Sequence, residues 1–146
     1  MNALGPARRA GYRRFLTIPT RWMDNDAYGH VNNVVYYAYF DTVVNEHLIR
    51  EGGLDIRSGP TIGVVVETAC RFRRSLSFPD IIDAGLRVAK LGTTSVTYDI
   101  GLFAQGEDEA AAVGRFVHVW VDRDTWRPSP LPPAIRGALT PLVAAA

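Results

Sequence analysis

Arg21-Trp-Met-Asp24-Asn-Asp26-Ala-Tyr-Gly29-His30-Val-Asn32-Asn33-Val-Val-Tyr36-Tyr-Ala-Tyr-Phe40 is the stretch on which the reading of this chain turns. An acidic loop, Asp24 to His30, runs directly into an unusually apolar helical segment. Asn32 and Asn33 are both suited to cap that helix, because a short side-chain oxygen accepts from free N–H groups of the first turn. Tyr36, Phe40, Val43, Val44, His47 and Leu48 keep helical spacing, which predicts a helix ending at Gly52-Gly53, where glycine can take the left-handed conformation. Its first two turns are apolar on nearly every side, the pattern of a central, enclosed helix.

The juncture has chemical content. A helix N-terminus presents unpaired N–H groups and partial positive charge, so it favours anions and polarised carbonyl oxygens. Asp24 and Asp26 lie just upstream, and a carboxylate beside such a pocket suggests acyl-transfer or hydrolytic chemistry. Asp-x-Asp followed by Gly is also a common helix-capping turn, and residue types alone leave both readings open.

Working outward, the segments on either side predict an α+β domain. Residues 1–10, small and polar with Arg8 and Arg9, read as a flexible N-terminal arm, too short and unpatterned for a transit peptide; residues 11–146 read as one domain. Tyr12 to Ile18 has strand character, ended by Pro19. Strands are expected at Thr61–Ser75, Asp83–Leu91, Thr94–Ala104 and Ala112–Asp122, separated by Arg57–Pro60, the Pro79/Asp80 turn, Gly92 and the loop from Gln105. In the fourth strand Val96, Tyr98, Ile100 and Leu102 alternate with Ser95, Thr97, Asp99 and Gly101. The last carries bulky residues on both faces, so the sheet is expected to be covered by a helix on one side and by a partner or another element on the other. The proline-rich run Pro128–Pro133 ends regular strand structure, and Ile135 to Val143 reads as a short terminal helix.

Composition narrows the function classes. The 146 residues suit one domain with a real core, and 47% hydrophobic with 21% charged residues is ordinary for a globular protein. A formal charge of +1 gives no electrostatic case for nucleic acid or an anionic membrane. The single cysteine, Cys70, rules out an internal disulfide framework and reads as a core residue; the compartment is expected to be reducing, hence cytoplasmic. No apolar run is long enough to span a bilayer. An EF-hand fails because Tyr28 and Val35 stand where ligands belong. His30, His47 and His118 lack metal-ligand spacing, and neither a Gly-x-Ser-x-Gly elbow nor a P-loop occurs.

The run Asp24-Asn-Asp26-Ala-Tyr-Gly29-His30-Val-Asn-Asn33-Val-Val-Tyr36 resembles the signature of the hotdog-fold acyl-CoA thioesterases, specifically the 4-hydroxybenzoyl-CoA thioesterase-like family. The resemblance implies an antiparallel sheet wrapped around one long central helix, and hydrolysis of an acyl or aroyl thioester of coenzyme A or an acyl-carrier protein to free acid and thiol. It implies no metal and no cofactor. A homodimer or homotetramer is expected, with sites at subunit interfaces. Asp26 takes the position of the catalytic carboxylate, nucleophile or general base, and Asn33 that of the residue whose backbone N–H polarises the thioester oxygen. Asp24 is expected to order the loop. His30, Asn32 and Tyr36 are candidate substrate contacts, and Arg73 and Lys90 candidate partners for phosphates. Thr93-Thr94-Ser95 falls where some family members carry Arg and Lys for the nucleotide, and its hydroxyls could substitute. The alternative is a non-catalytic acyl-CoA-binding hotdog protein.

Overall fold

The computed structural model describes residues 4–144. Five strands, β1 (Arg14–Pro19), β2 (Thr61–Phe72), β3 (Ile81–Leu91), β4 (Ser95–Ala104) and β5 (Ala112–Asp122), form one antiparallel sheet in the order β1-β3-β4-β5-β2. The long helix α1 (Asn33–Gly52) lies against one face, and a short α2 (Pro133–Leu139) packs beside its C-terminal half. This is the α+β arrangement of a sheet wrapped round a helix that the sequence predicts. Strand bounds shift by a few residues. β2 stops at Phe72, not Ser75, because the N–H groups of Arg73 and Arg74 both turn to the Ala111 carbonyl, at 2.8 and 3.0 Å. The terminal helix breaks after Leu139 into a single 3-10 turn, Thr140–Leu142, around Pro141.

The strand alternation fixes the core. Even-numbered residues of β3, β4 and β5 face α1: Ile82, Leu86, Val96, Tyr98, Ile100, Phe116 and Trp120 all meet Phe40, Val43, Val44 and Leu48 in one buried cluster. Phe40 reaches the sheet because Gly114 lies under its ring, where any Cβ would collide with it. The helix ends as its glycines suggest: Gly53 has φ +63° and the Leu54 N–H reaches the Leu48 carbonyl at 3.1 Å.

Two expectations change here. α1 is not enclosed on all sides, since the sheet of one chain covers only one face of it; Asn33, Val34, Ala38, Asp41 and Thr42 are exposed, Val34 at 65%. The Phe116, His118 and Trp120 face of β5 needs no outside cover, because α1 already buries it. On the opposite face Tyr12, Phe103, Ala110 and Val113 form a second small cluster against Leu4. Of the expected arm, residues 1–3 lie outside the described residues, while 4–10 fold back over this face. The Tyr12 hydroxyl donates to the Pro6 carbonyl at 2.6 Å, and the Arg9 guanidinium lies 4.9 Å from the Phe103 ring centre and 2.9 Å from Asp83.

Buried His118 has a consequence for stability. Burial lowers its imidazole to about 4, so the folded chain holds it neutral, whereas the unfolded chain protonates it near the ordinary value of 6.5. Between those values the unfolded state binds the extra proton, and stability therefore falls as pH drops from about 6.5 to about 4. Denaturant unfolding across this range should show that loss, and His118→Phe should flatten it.

Candidate functional site

The loop before α1 is held by its first aspartate. Arg21 caps a 3-10 turn, Trp22–Asp24, and its backbone N–H donates to Asp24 Oδ2 at 2.8 Å. Arg21 Nε and Nη2 lie 3.0 and 2.9 Å from Asp24 Oδ1, and the Tyr39 hydroxyl donates to Oδ2 at 2.8 Å. Burial alone would push this carboxyl up. The Arg21 N–H, its guanidinium and the Tyr39 hydroxyl outweigh burial and hold it below the usual range. The Asp24 carbonyl accepts from the Asn32 N–H at 2.9 Å, so the loop returns to the helix start. Asp24 is thereby an anchor, fully occupied by partners, as the sequence suggests. Tyr39→Phe removes one bond to a buried charge and should destabilise the fold by about 2 kcal/mol. Thermal or denaturant unfolding measures this, and Asp24 should then be the group that loses its hold.

Asp26 is built differently. Its Oδ1 accepts from the Tyr28 N–H at 2.8 Å, its own N–H donates to the His30 carbonyl at 2.9 Å, and its carbonyl accepts from Gly29 at 3.0 Å. Gly29 closes this turn at φ +82°, a conformation that side-chain-bearing residues rarely adopt. Its Cβ would meet nothing within 4 Å, so backbone conformation alone asks for glycine. Asp26 Oδ2 has no partner among the described residues. One oxygen is fixed and, among the described residues, the other is unoccupied. The Val31 N–H donates to Leu76 O at 2.7 Å, and Asn25 Oδ1 accepts from Phe78 N–H at 2.9 Å, tying the loop to the β2–β3 connection.

At the helix start Asn32, not Asn33, is the cap: its Oδ1 accepts from the Val34 N–H at 3.0 Å, and its carbonyl from Val35 at 2.9 Å. The Asn33 N–H has no acceptor among the described residues. It opens, at the positive end of a 20-residue helix, beside a cleft of about 310 Å³ lined by His30, Asn33, Tyr36, Phe72 and Arg73 among others. Tyr36 is buried, its ring edge-on to Phe72 at 4.9 Å. Arg74 is drawn toward Glu109 at 3.5 Å and Glu107 at 4.0 Å; the exposed Arg73 has no such carboxylate among the described residues. A free amide at a helix terminus and an unpaired guanidinium can bind a polarised oxygen and an anion in one cleft.

Of the residues singled out from sequence, His30, Asn33, Tyr36 and Arg73 share this cleft. Asp26 lies in the loop that leads into it, and Asn32 holds its cap. Lys90, Thr93, Thr94 and Ser95 are not brought to it within one chain. Thr94 O accepts from Trp120 N–H at 2.7 Å and Thr93 O from Leu131 N–H at 3.0 Å, whereas the cleft lies by Ala111 and Ala112. Eight residues of β5 separate the two ends, roughly 26 Å. Phe72 and Ser75 of the cleft wall carried no sequence signal of their own, since they reach it only through the β2–β5 register, whereas Arg74 belongs with Arg71 and Arg73 to a basic stretch visible in the sequence. Among the described residues no group of three or more His, Cys, Asp or Glu is placed to hold a metal ion, and no helix is long and apolar enough to cross a membrane.

Comparisons with known proteins bear on the fold and the family. Residues 20–139 match the thioesterase-like superfamily. Among solved structures, the PA5185 protein of Pseudomonas aeruginosa is 52% identical, with a TM-score of 0.93 over 95% of this chain and 97% of that one. PA2801, also from Pseudomonas aeruginosa, is 29% identical, with a TM-score of 0.78 over 85% and 95% of the two chains. A Thermus thermophilus thioesterase, solved in complex with coenzyme A and zinc, is 30% identical, with a TM-score of 0.75 over 90% and 95%. No curated protein matches the chain.

Proposed function

The chain belongs to the thioesterase-like superfamily, and on that premise we propose that it hydrolyses an acyl- or aroyl-coenzyme A thioester to the free acid and thiol. The observation that carries the reading is the juxtaposition of an Asp26 carboxylate with one free oxygen and an Asn33 N–H without an acceptor at the start of α1. The thioester oxygen accepts from that N–H, which takes up the negative charge developing as the carbonyl carbon becomes tetrahedral. Asp26 either attacks that carbon, giving a mixed anhydride that water then opens, or takes a proton from the attacking water. In both routes the electron pair of the broken C–S bond leaves with the thiol. Arg73 offers its guanidinium to a phosphate of coenzyme A. The coenzyme A complex of the Thermus thermophilus relative supports the choice of thiol.

We further propose that two copies pair along β2. It is an edge strand with Val65 42%, Val66 58% and Phe72 47% exposed, and open strand edges of this kind are ordinarily covered. Light scattering coupled to size exclusion should give a dimer or a multiple of it; a monomer at micromolar concentration would remove this part of the proposal.

The hydrolytic reading is tested with acetyl-, hexanoyl-, dodecanoyl- and benzoyl-coenzyme A, scoring released thiol with a thiol reagent. Turnover of at least one is expected. Tight binding of coenzyme A thioesters without release would instead make this a non-catalytic acyl-CoA-binding hotdog protein.

A further inference from the structure

A second cavity, of about 190 Å³, lies between the C-terminal half of α1 and the paired strands β2 and β5, remote from the Asn33 cleft. Leu48, Leu54, Ile56 and Ile62 give it apolar walls, and His118 and Trp120 complete them. Both of these side chains are buried, at 2% and 0% exposure, yet His118 Nδ1 and Trp120 Nε1 have no hydrogen-bond partner among the described residues. The hydroxyl of Tyr98, whose ring stands 5.7 Å from His118, is likewise buried and without a partner. Buried polar groups are nearly always paired, so the two orphans on residues lining this cavity call for a common explanation. The other polar wall residue, Asn45, is already engaged, its amide donating to the Asp41 carbonyl at 2.9 Å.

Gly63 supplies an independent observation. It lines the same cavity, and a Cβ there would stand 3.1 Å from His118 Nδ1 and 3.2 Å from the next ring atom. Glycine thus lets β2 lie close against the imidazole, which a Cβ at this position would crowd.

We infer that this cavity is a binding site for a small apolar group bearing a hydroxyl. The chemistry of the orphans selects that class. Trp120 Nε1–H can only donate, whereas a neutral imidazole nitrogen can accept. A hydroxyl does both at once, taking the Trp120 N–H and giving its own proton to His118. Burial keeps the imidazole neutral near pH 7, which preserves the accepting nitrogen. The volume is about that of six waters at ~30 Å³ each, enough for a six-membered ring with one substituent. The wall residues leave such a body in apolar contact. Nothing in this binding depends on whether the chain cleaves thioesters.

The test compares phenol with toluene, which share a ring and differ in the hydroxyl. Binding is followed on full-length protein by the indole N–H resonances of its tryptophans and the His118 imidazole. Phenol should bind at least tenfold more tightly than toluene and shift the Trp120 indole N–H, identified by its loss in Trp120→Phe. Trp120→Phe should reduce the preference for phenol to within about threefold of none. Gly63→Ala, which crowds the imidazole from the cavity wall without removing a polar atom, should weaken phenol by at least tenfold while circular dichroism shows an intact fold. Equal affinity for the two probes, binding that leaves the Trp120 and His118 signals unmoved, or undiminished phenol binding in Gly63→Ala would each overturn the inference.

Discussion

Asp26→Asn should lower thioester turnover by at least about a thousandfold, on the order of 4 kcal/mol in the barrier, while leaving the fold intact. The amide is nearly isosteric and its oxygen can still accept from the Tyr28 N–H, the one hydrogen bond that the side chain makes among the described residues. The turn closed by Gly29 depends on backbone groups of Asp26 and His30, which the substitution leaves alone. What is lost is the free oxygen, as nucleophile or as base. Steady-state kinetics with denaturant unfolding separate the two effects. Asp24→Asn is the contrasting case: it replaces a buried carboxylate bound to Arg21 and Tyr39, so its main cost should appear in stability. Activity near wild type in Asp26→Asn would place the chemistry on another group.

The second large effect should come from Asn33, where side chain and main chain give opposite outcomes. Its side chain is exposed and does not cap the helix, so Asn33→Ala should keep most of the turnover. Asn33→Pro deletes the N–H that has no acceptor. Proline is well tolerated at the first helical position, and Asn32, at φ −62° and ψ 141°, already holds the extended conformation that a following proline requires. The variant should therefore fold. Losing one oxyanion donor typically slows an enzyme by about a hundredfold or more, and kcat should fall by that factor with substrate affinity less affected. Equal losses in both variants would show that the side chain carries the role.

Much of this was legible in the sequence, for identifiable reasons. Period-two alternation in β4 and the apolar helical run from Tyr36 to Leu48 are set by local burial, and both survive in the fold. The capping pair Asn32-Asn33 marked the helix start to within one residue; only geometry could assign the cap to Asn32 and free the Asn33 amide. Asp24 and Asp26 looked alike as residues. They differ because Tyr39, two helical turns beyond the cap, and Arg21 converge on Asp24 alone. What stayed hidden depends on long-range register. Phe72 and Arg73 meet the helix start through the pairing of β2 with β5, and the same pairing sets Thr93 to Ser95 at the far end of the sheet. The one-sided exposure of α1 was hidden too, since a sequence lists apolar residues without saying which a single sheet will cover.

The most direct measurement is a crystal structure of the Asp26→Asn variant with a non-hydrolysable thioester analogue of coenzyme A. The carbonyl oxygen should lie about 2.7–3.1 Å from the Asn33 nitrogen, with the side chain at position 26 beside the carbonyl carbon. A carbonyl bound away from the start of α1, with the Asn33 N–H unoccupied, would contradict the proposed site.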